Sequence, residues 1–585
     1  MTTIDLCIKS NHVLNVFSRL FEPNVLWIND GKIIATGESS AFHARRTLDY
    51  AEQYIVPGFI DAHVHIESSL LTPSELAKVI LPQGTTGIFT DPHEIANVAG
   101  ANGIQYMIDD SRQSLLDVYT MLPSSVPCTP FEDSGATLTA KELKPFYQDP
   151  TVRGLAEVMD YPAVSSNQPD MITKLNDCLQ AGRQIDGHGS GLSRHQLDVY
   201  RQHQITTDHE ATTIRQIQER INEGFYVFLR EGTVERDLEN TVDAVNESNA
   251  NRFAFCTDDK LVDSLLNEGG INDCIRKAIR HGLRPETAYT MASLNAAQAH
   301  QTPFIGALNP NYQADIVVLD DPYDVKIHQV IKKGHLISNH DFNTAPLSFA
   351  KNTMNFTLSQ PDLKLPLKLD TANIIQVIPN HIETEHLVEP VSIHNGSFCP
   401  DTIKDQLKMV VVERHHNTGK VGKAIVKGFN LTHGAVASSI AHDSHNIIAV
   451  GTNDADLLAA IQHLQKVGGG NSGVLLLNME KINQTKLFER ARERCVKRWM
   501  FMPDQSALNK LAQAKRIAPR KYNEQHRLHA DTVFQHFTTS FKFFPLFKIQ
   551  TIKPWEVQQV HDVLGIHEYD DILNEYQQLV PNLAK

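Results

Sequence analysis

The sequence predicts an α/β protein. A (β/α)8, TIM-like barrel is expected over residues 57–300, a small β structure from both flanks (1–56 and 301–345), and a C-terminal α/β domain with a helical tail (346–585). Three observations carry this. Strand-like and helix-like stretches alternate through the middle, β-rich pieces lie on both sides of it, and the character of the chain changes after about residue 345. Taken in order, "DLCIKS" and "VLWIND-GK-IIATG" are short β-rich pieces, the second turning at Asp30-Gly31, a hairpin signal. A similar piece returns as "GALNPNYQADIVVLDD" (306–321), so the two flanks are expected to build one sheet. Between them, "GTTGIFTDPHE", "VRGLAEVMD", "RQIDGHGS", "QITTDHE", "FYVFLREG" and "RFAFCTDD" are apolar runs ending in polar or ionisable residues. Helical patterns such as "TTIRQIQERINEG", closing on Gly224, separate several of them. Strand–loop–helix units repeated over roughly 250 residues favour a barrel, whose chemistry sits where strands end. Beyond it, "AKNTMNFTLSQPDLKLPLKL" reads as a connection, and "MVVVER", "KAIVKGF" and "NIIAVG" read as strands. "DADLLAAIQHLQKVGGG" reads as a helix starting at Thr452-Asn453-Asp454. The glycines at 468–470 follow that helix, so they are a C-cap and turn and not a phosphate loop. From about residue 480 the chain reads as helical and charged, with no assignable chemistry.

Composition narrows the class of function. With 41% hydrophobic and 21% charged residues, the 585-residue chain has ample core, so disorder is not the default. A net charge of -14 argues against a nucleic-acid partner, which needs a concentrated basic surface. The seven cysteines form no close pair, as expected of reduced thiols. "MTTIDLCIKS" shows no basic region leading into an apolar stretch, and no apolar run approaches the ~20 residues needed to cross a bilayer. No export signal, no membrane partner and a cytoplasmic location are expected.

"VPGFIDAHVHIESS" places His63 and His65 two apart on a strand, where they share a face while Val64 turns into packing. Alone, a His-x-His is as compatible with two satisfied polar side chains as with a metal clamp. The other strand ends decide the reading: Glu157 in "GLAEV", His188 in "IDGH", His209 in "ITTDH" and Asp258 in "FAFCTD". Titratable groups gathered on one barrel face point to a binuclear metal site, because each would otherwise need its own buried partner. Glu157 could bridge, His63 and His65 hold one metal, and His188 and His209 the other. Imidazole and oxygen ligands without thiolate suit Zn, Mn or Fe. Such a centre acidifies water and polarises an electrophile, which is hydrolysis chemistry directed at a C–N bond. Asp258 is the candidate proton shuttle and Asp259 the fallback, while Cys256 reads as packing.

These residues resemble the amidohydrolase superfamily: "PGFIDAHVH", then histidines and an aspartate on later strands, with a small β-sandwich from both flanking segments. Most members carry a carboxylated lysine on the fourth strand, and here Glu157 in "AEVMD" stands in its place. With "LPQGTTGIFTDPHEIANV", "LREGT" and "VKGFNLTHGAVASSIAHDSHNIIAVGTND", the chain is similar to the bacterial adenine deaminase family from about residue 5 to about 470. The resemblance implies hydrolysis of adenine by water to hypoxanthine and ammonia, with Mn2+ or Fe2+ (Zn2+ as a third choice) in a binuclear site. It carries over His63, His65, Glu157, His188, His209 and Asp258. A homo-oligomer is expected, a dimer first. Asp160 stands where the family motif more usually has asparagine. Candidate substrate contacts are Glu67, just past the strand, His93 and Glu94 in "DPHEIANV", and Arg230-Glu231, for which a structural ion pair is the competing account. Glu210 is either a second proton carrier or a ligand's hydrogen-bond partner. His442, with Asp443 and His445, is expected to help shut the pocket. The competing functions are another cyclic C–N hydrolase, such as a different nucleobase deaminase, and a non-catalytic scaffold.

Overall fold

In the computed structural model, residues 2–342, 353–379 and 384–469 are described. The chain divides into two compact units, residues 1–351 and 352–585.

The first unit begins with β1 (Thr2–Asn15), which pairs antiparallel with β2 (Leu20–Asn29). Asp30 (φ 48°) and Gly31 (φ 70°) turn β2 into β3 (Lys32–Thr36), the expected hairpin. β4 (Phe42–Asp49) and β5 (Tyr54–Pro57) run parallel to β1.

Then come β6 (Phe59–Val64), β7 (Thr85–Thr90), β8 (Asp117–Leu122), β9 (Val152–Val158) and β10 (Gln184–Gly187), a five-stranded parallel sheet in sequence order. A three-stranded parallel sheet follows: β11 (Thr207–Asp208), β12 (Tyr226–Arg230) and β13 (Phe253–Cys256). Helices separate many of these strands, as parallel connection requires. β6, β7 and β13 are buried at every residue, which explains why they read as continuous apolar runs. Hydrogen bonds join the edges of the two sheets. Thr206 N donates to Ile185 O (3.4 Å), and at the other edge Asp258 N donates to His63 O (3.0 Å) and His65 N to Asp258 O (3.2 Å). Asp258 makes this closure with φ 52°, in the left-handed region. Pairing with β7 carries β6 to Val64, next to His65. At Gly154 a Cβ would collide with Gln184 O, so β9 and β10 approach each other too closely for any other residue.

The far flank returns as β14 (Ile316–Asp321), β15 (Lys326–Lys332) and β16 (His335–Leu336). β14 pairs antiparallel with β5, so both flanks share one eight-stranded sheet. Lys332, fully buried, donates to Thr86 O (2.8 Å), Asp117 Oδ2 (2.6 Å) and Asp315 Oδ2 (2.7 Å). It thereby anchors this sheet to the starts of β7 and β8, the end opposite the strand-end histidines.

The second unit is a six-stranded mixed sheet built from β17 (Thr371–Val377), β18 (Thr384–Pro390), β21 (Leu407–Val412), β22 (Val421–Lys427), β23 (Ala435–Ser438) and β24 (Ile447–Gly451). A two-residue ladder, β19 (Ile393–His394) with β20 (Ser397–Phe398), lies beside it in sequence. The helix Asp454–Val467 packs Leu457, Ile461 and Leu464 with Val410, Val412 and Ala449. Asn453 caps it by accepting Asp456 N (2.9 Å), and Gly468 (φ 90°) ends it, as the sequence predicts. The helical tail expected from about residue 480 lies outside the described residues.

Candidate metal centre at the strand ends

His63, in β6, and His65, the extended residue just past its end, share a face because they are two residues apart. His63 Nδ1 lies 2.8 Å from Asp186 Oδ2, and His65 Nδ1 lies 3.0 Å from Asp91 O. A carboxylate and a carbonyl can only accept, so both Nδ1 atoms donate. The two Nε2 atoms are then 3.1 Å apart. Neutral rings in these tautomers aim lone pairs at one another, a repulsive arrangement that a cation relieves. Asp258 Oδ1 completes the group, 3.1 Å from His65 Nε2 and 3.6 Å from His63 Nε2.

Glu157, at the end of β9, has one oxygen on each side of the centre. Its Oε1 is 3.3 Å from His65 Nε2, and its Oε2 is 2.6 Å from His188 Nδ1 and 3.3 Å from His209 Nε2. Two ligand clusters result, His63–His65–Asp258 and Glu157–His188–His209, each with its donor atoms within 4.8 Å of one another. The His209 ring stacks on His63 at 3.9 Å. Its Nε2 faces the Glu157 carboxylate, and its buried Nδ1 has no hydrogen-bond partner. A buried imidazole nitrogen without a partner is costly.

Charge follows the same logic. Burial works against protonation of His188, but Glu210 and Glu157 outweigh it and push its pKa up to about 9. At His209 burial is again outweighed, by Glu157, Asp258 and Glu210, and the value rises to about 10. Burial raises Glu157 and Asp258, yet their histidine neighbours, and for Asp258 also Arg230, hold both well below the usual carboxylate range. The carboxylates therefore favour positive charge at the centre, whether carried by protons on the imidazoles or by metal ions. Four imidazoles and two carboxylates without thiolate fit divalent Mn, Fe or Zn.

The remaining expected residues divide. Arg230 Nη1 contacts Glu210 Oε1 and Asp258 Oδ2 (2.9 Å), while its Nε donates to Asp237 Oδ2 (3.0 Å). Glu210 also lies 3.6 Å from His209 Nε2. Glu231, next in the chain, is engaged elsewhere: its Oε1 is 2.6 Å from Lys277 Nζ. The expected Arg230–Glu231 unit is therefore split between two environments, as strand alternation dictates. Glu67 sits on a short 3-10 turn, accepts Ile95 N (3.2 Å), and is pushed up to about 8 by burial and by Glu94. His93 opens the helix His93–Ala99, with Nδ1 2.8 Å from Asp91 Oδ2 and 3.4 Å from Glu157 Oε1, so it reaches the centre. Ser68 Oγ bonds Glu94 Oε1 and Asp259 Oδ1, so Asp259 is held by a hydroxyl where Asp258 meets His65 and Arg230 directly. His442, Asp443 and His445 belong to the second unit, between β23 and β24. Cys256 is fully buried in packing. Asp160 caps the helix Tyr161–Ser165 by accepting Ala163 N (2.9 Å), a task asparagine performs equally well.

Comparison with known proteins agrees with this geometry. Residues 54–337 match the model of the amidohydrolase family, and residues 381–485 match that of the adenine deaminase C-terminal domain. An adenine deaminase from Lactiplantibacillus plantarum is 50% identical over 483 residues, covering 83% of this chain and 85% of that protein. Those from Leuconostoc citreum and Listeria innocua are each 49% identical, covering 80% of this chain and 84% and 81% of theirs. The chain belongs to the adenine deaminase family. The amidohydrolase match runs from the start of β5 to just past β16, so it takes in every strand that carries a residue of the centre. Sequence reading of this family member missed Asp186 and Asp91, which orient His63, His65 and His93. Each stands two residues before a noted histidine, in "DGH" and "DPH", but Asp186 meets His63 from a distant strand, and Asp91 lies past the end of β7, so no strand periodicity marks either one.

Proposed function

We propose that the chain hydrolyses adenine to hypoxanthine and ammonia, and that its two parallel sheets form one (β/α)8 barrel with the centre at its C-terminal mouth. The observation that carries the reading is Glu157, whose two oxygens face separate imidazole groups, one toward His65 and the other toward His188 and His209. His63, His65 and Asp258 would hold one divalent ion, His188 and His209 the second, and Glu157 both, with Mn2+ or Fe2+ the first choices. When bound, the metal pair supplies acidified water and polarisation of the purine ring.

The chain's own groups do the rest. Asp258 takes a proton from the attacking water at a carboxylate oxygen and returns it to the departing nitrogen, which leaves as ammonia. Arg230, bonded to Asp258 Oδ2, keeps that carboxylate ionised and aimed. Glu210 is held by the same guanidinium as a second proton carrier. Glu67, His93 and Glu94 are the nearest candidates for contact with the base. His442 rests on the family motif alone, and a His442→Ala enzyme with unchanged turnover and adenine affinity would dismiss it.

The direct test supplies adenine, adenosine, guanine and cytosine to Mn- or Fe-loaded protein and follows ammonia. Release from adenine is expected. None from adenine with metal loaded would sink the reading, and release from guanine or cytosine would point to a different nucleobase deaminase.

A further inference from the structure

Arg220 is a charged side chain with no exposure at all, on the helix Ile214–Asn222, and it touches no residue of the centre directly. Its fork instead holds the two segments that carry His188 and His209. Nε donates to Asp208 Oδ1 (2.7 Å), Nη2 to Gly189 O (2.6 Å), and Nη1 to Gln216 O (3.2 Å) in its own helix. Asp208 directly precedes His209, and Gly189 directly follows His188. Asp208 Oδ1 also accepts Glu210 N (2.9 Å), so the residue after His209 is fixed by the same carboxylate. A Cβ at Gly189 would collide with Asp208 Oδ2, which shows how tightly the two loops close around the guanidinium.

A fold can be stabilised without such a device. A buried ion pair recovers little beyond its desolvation cost, and an apolar pair of similar volume can serve a core as well or better. What an apolar pair cannot do is bond a backbone carbonyl on one loop and a carboxylate on the next at fixed distance. A planar fork whose nitrogens reach two different acceptors is the property that distinguishes arginine from lysine here. β11 is only two residues long, so its ladder alone gives His209 little support.

We propose that Arg220 is a positioning residue: by tying the backbone after His188 to the carboxylate before His209, it sets the spacing of these two imidazoles for one of the two metals. The inference rests on the binuclear reading given above. Its signature is asymmetry, because the His63–His65 pair is oriented by Asp186 and by Asp91 O, without Arg220.

The test uses the full chain as wild type, Arg220→Lys and Arg220→Met. Metal-depleted protein is titrated with Mn2+ by equilibrium dialysis, and thermal unfolding of each depleted protein is recorded in parallel. Wild type should bind two Mn2+ per chain. Arg220→Lys, which keeps the charge and loses the fork, should bind one with wild-type affinity and the second about 10- to 100-fold more weakly, the range expected for loss of support behind a ligand. Arg220→Met should show the same asymmetry if it folds, and Arg220→Lys decides if it does not. A folded Arg220→Lys protein that binds both ions as wild type does would overturn the proposal. So would equal weakening of both ions, the mark of general destabilisation. A wild type that binds none of Mn2+, Fe2+ and Zn2+ overturns the metal centre itself, and this inference with it.

Discussion

Adjacent aspartates just past β13 have different surroundings, and the proposed roles follow that difference. Asp258 faces His65 and Arg230, whereas Asp259 is held by Ser68. Asp258→Asn should lower kcat by about 10^2- to 10^4-fold, the usual range for a lost general acid–base group. Asp259→Asn should cost far less, and steady-state ammonia release measured on both proteins checks the order. Sequence could not rank these two residues, because spacing along a chain says nothing about which neighbour from another strand each one meets. It placed His63 and His65 correctly on one face because that is a local property of any strand. Asp186 escaped it for the opposite reason: its partner, His63, lies 123 residues away.

Among the elements, β9 and β10 bring Glu157 and His188 together, and their separation depends on Gly154. Gly154→Ala should destabilise the protein by about 1–3 kcal/mol through overpacking. It should also weaken metal uptake, since the collision lies between the strands that present Glu157 and His188, candidate ligands; thermal unfolding with and without Mn2+ measures both effects. Hairpin and cap signals were legible because they are local chemistry: Asp30-Gly31 at a turn, Asn453 and Gly468 at helix ends. β11 has too few residues to announce itself, although the ligand it presents was noted.

At the scale of the whole molecule, both flanks meeting in one sheet was readable from matching β-rich pieces, while the buried Lys332 that anchors this sheet was not. Acid should loosen the protein before it removes its charge pairs. His415, in the second unit, is lowered to about 4 from the ordinary 6.5 by burial and by Arg414, and His300, in the first, falls to about 4 mainly through burial. Between pH 6.5 and 4 the unfolded chain therefore binds protons that the folded chain refuses, so stability falls as pH drops through that window and this contribution levels off below it. For His415 the loss is on the order of 3 kcal/mol at most. Unfolding midpoints of wild type and His415→Asn across pH 4 to 7 should show a shallower decline in the variant; parallel curves would refute the assignment. The closure between the two parallel sheets carries one more lesson. Asp258 bonds β6 through its own backbone while its φ lies at 52°. Asparagine tolerates that conformation, but alanine resists it. An alanine at this position would remove a proton carrier and strain a seam of the scaffold in one stroke, so its silence in an assay could not be attributed to chemistry. Replacement by asparagine isolates the carboxylate's contribution, which makes backbone conformation the first consideration in choosing how to interrogate this residue.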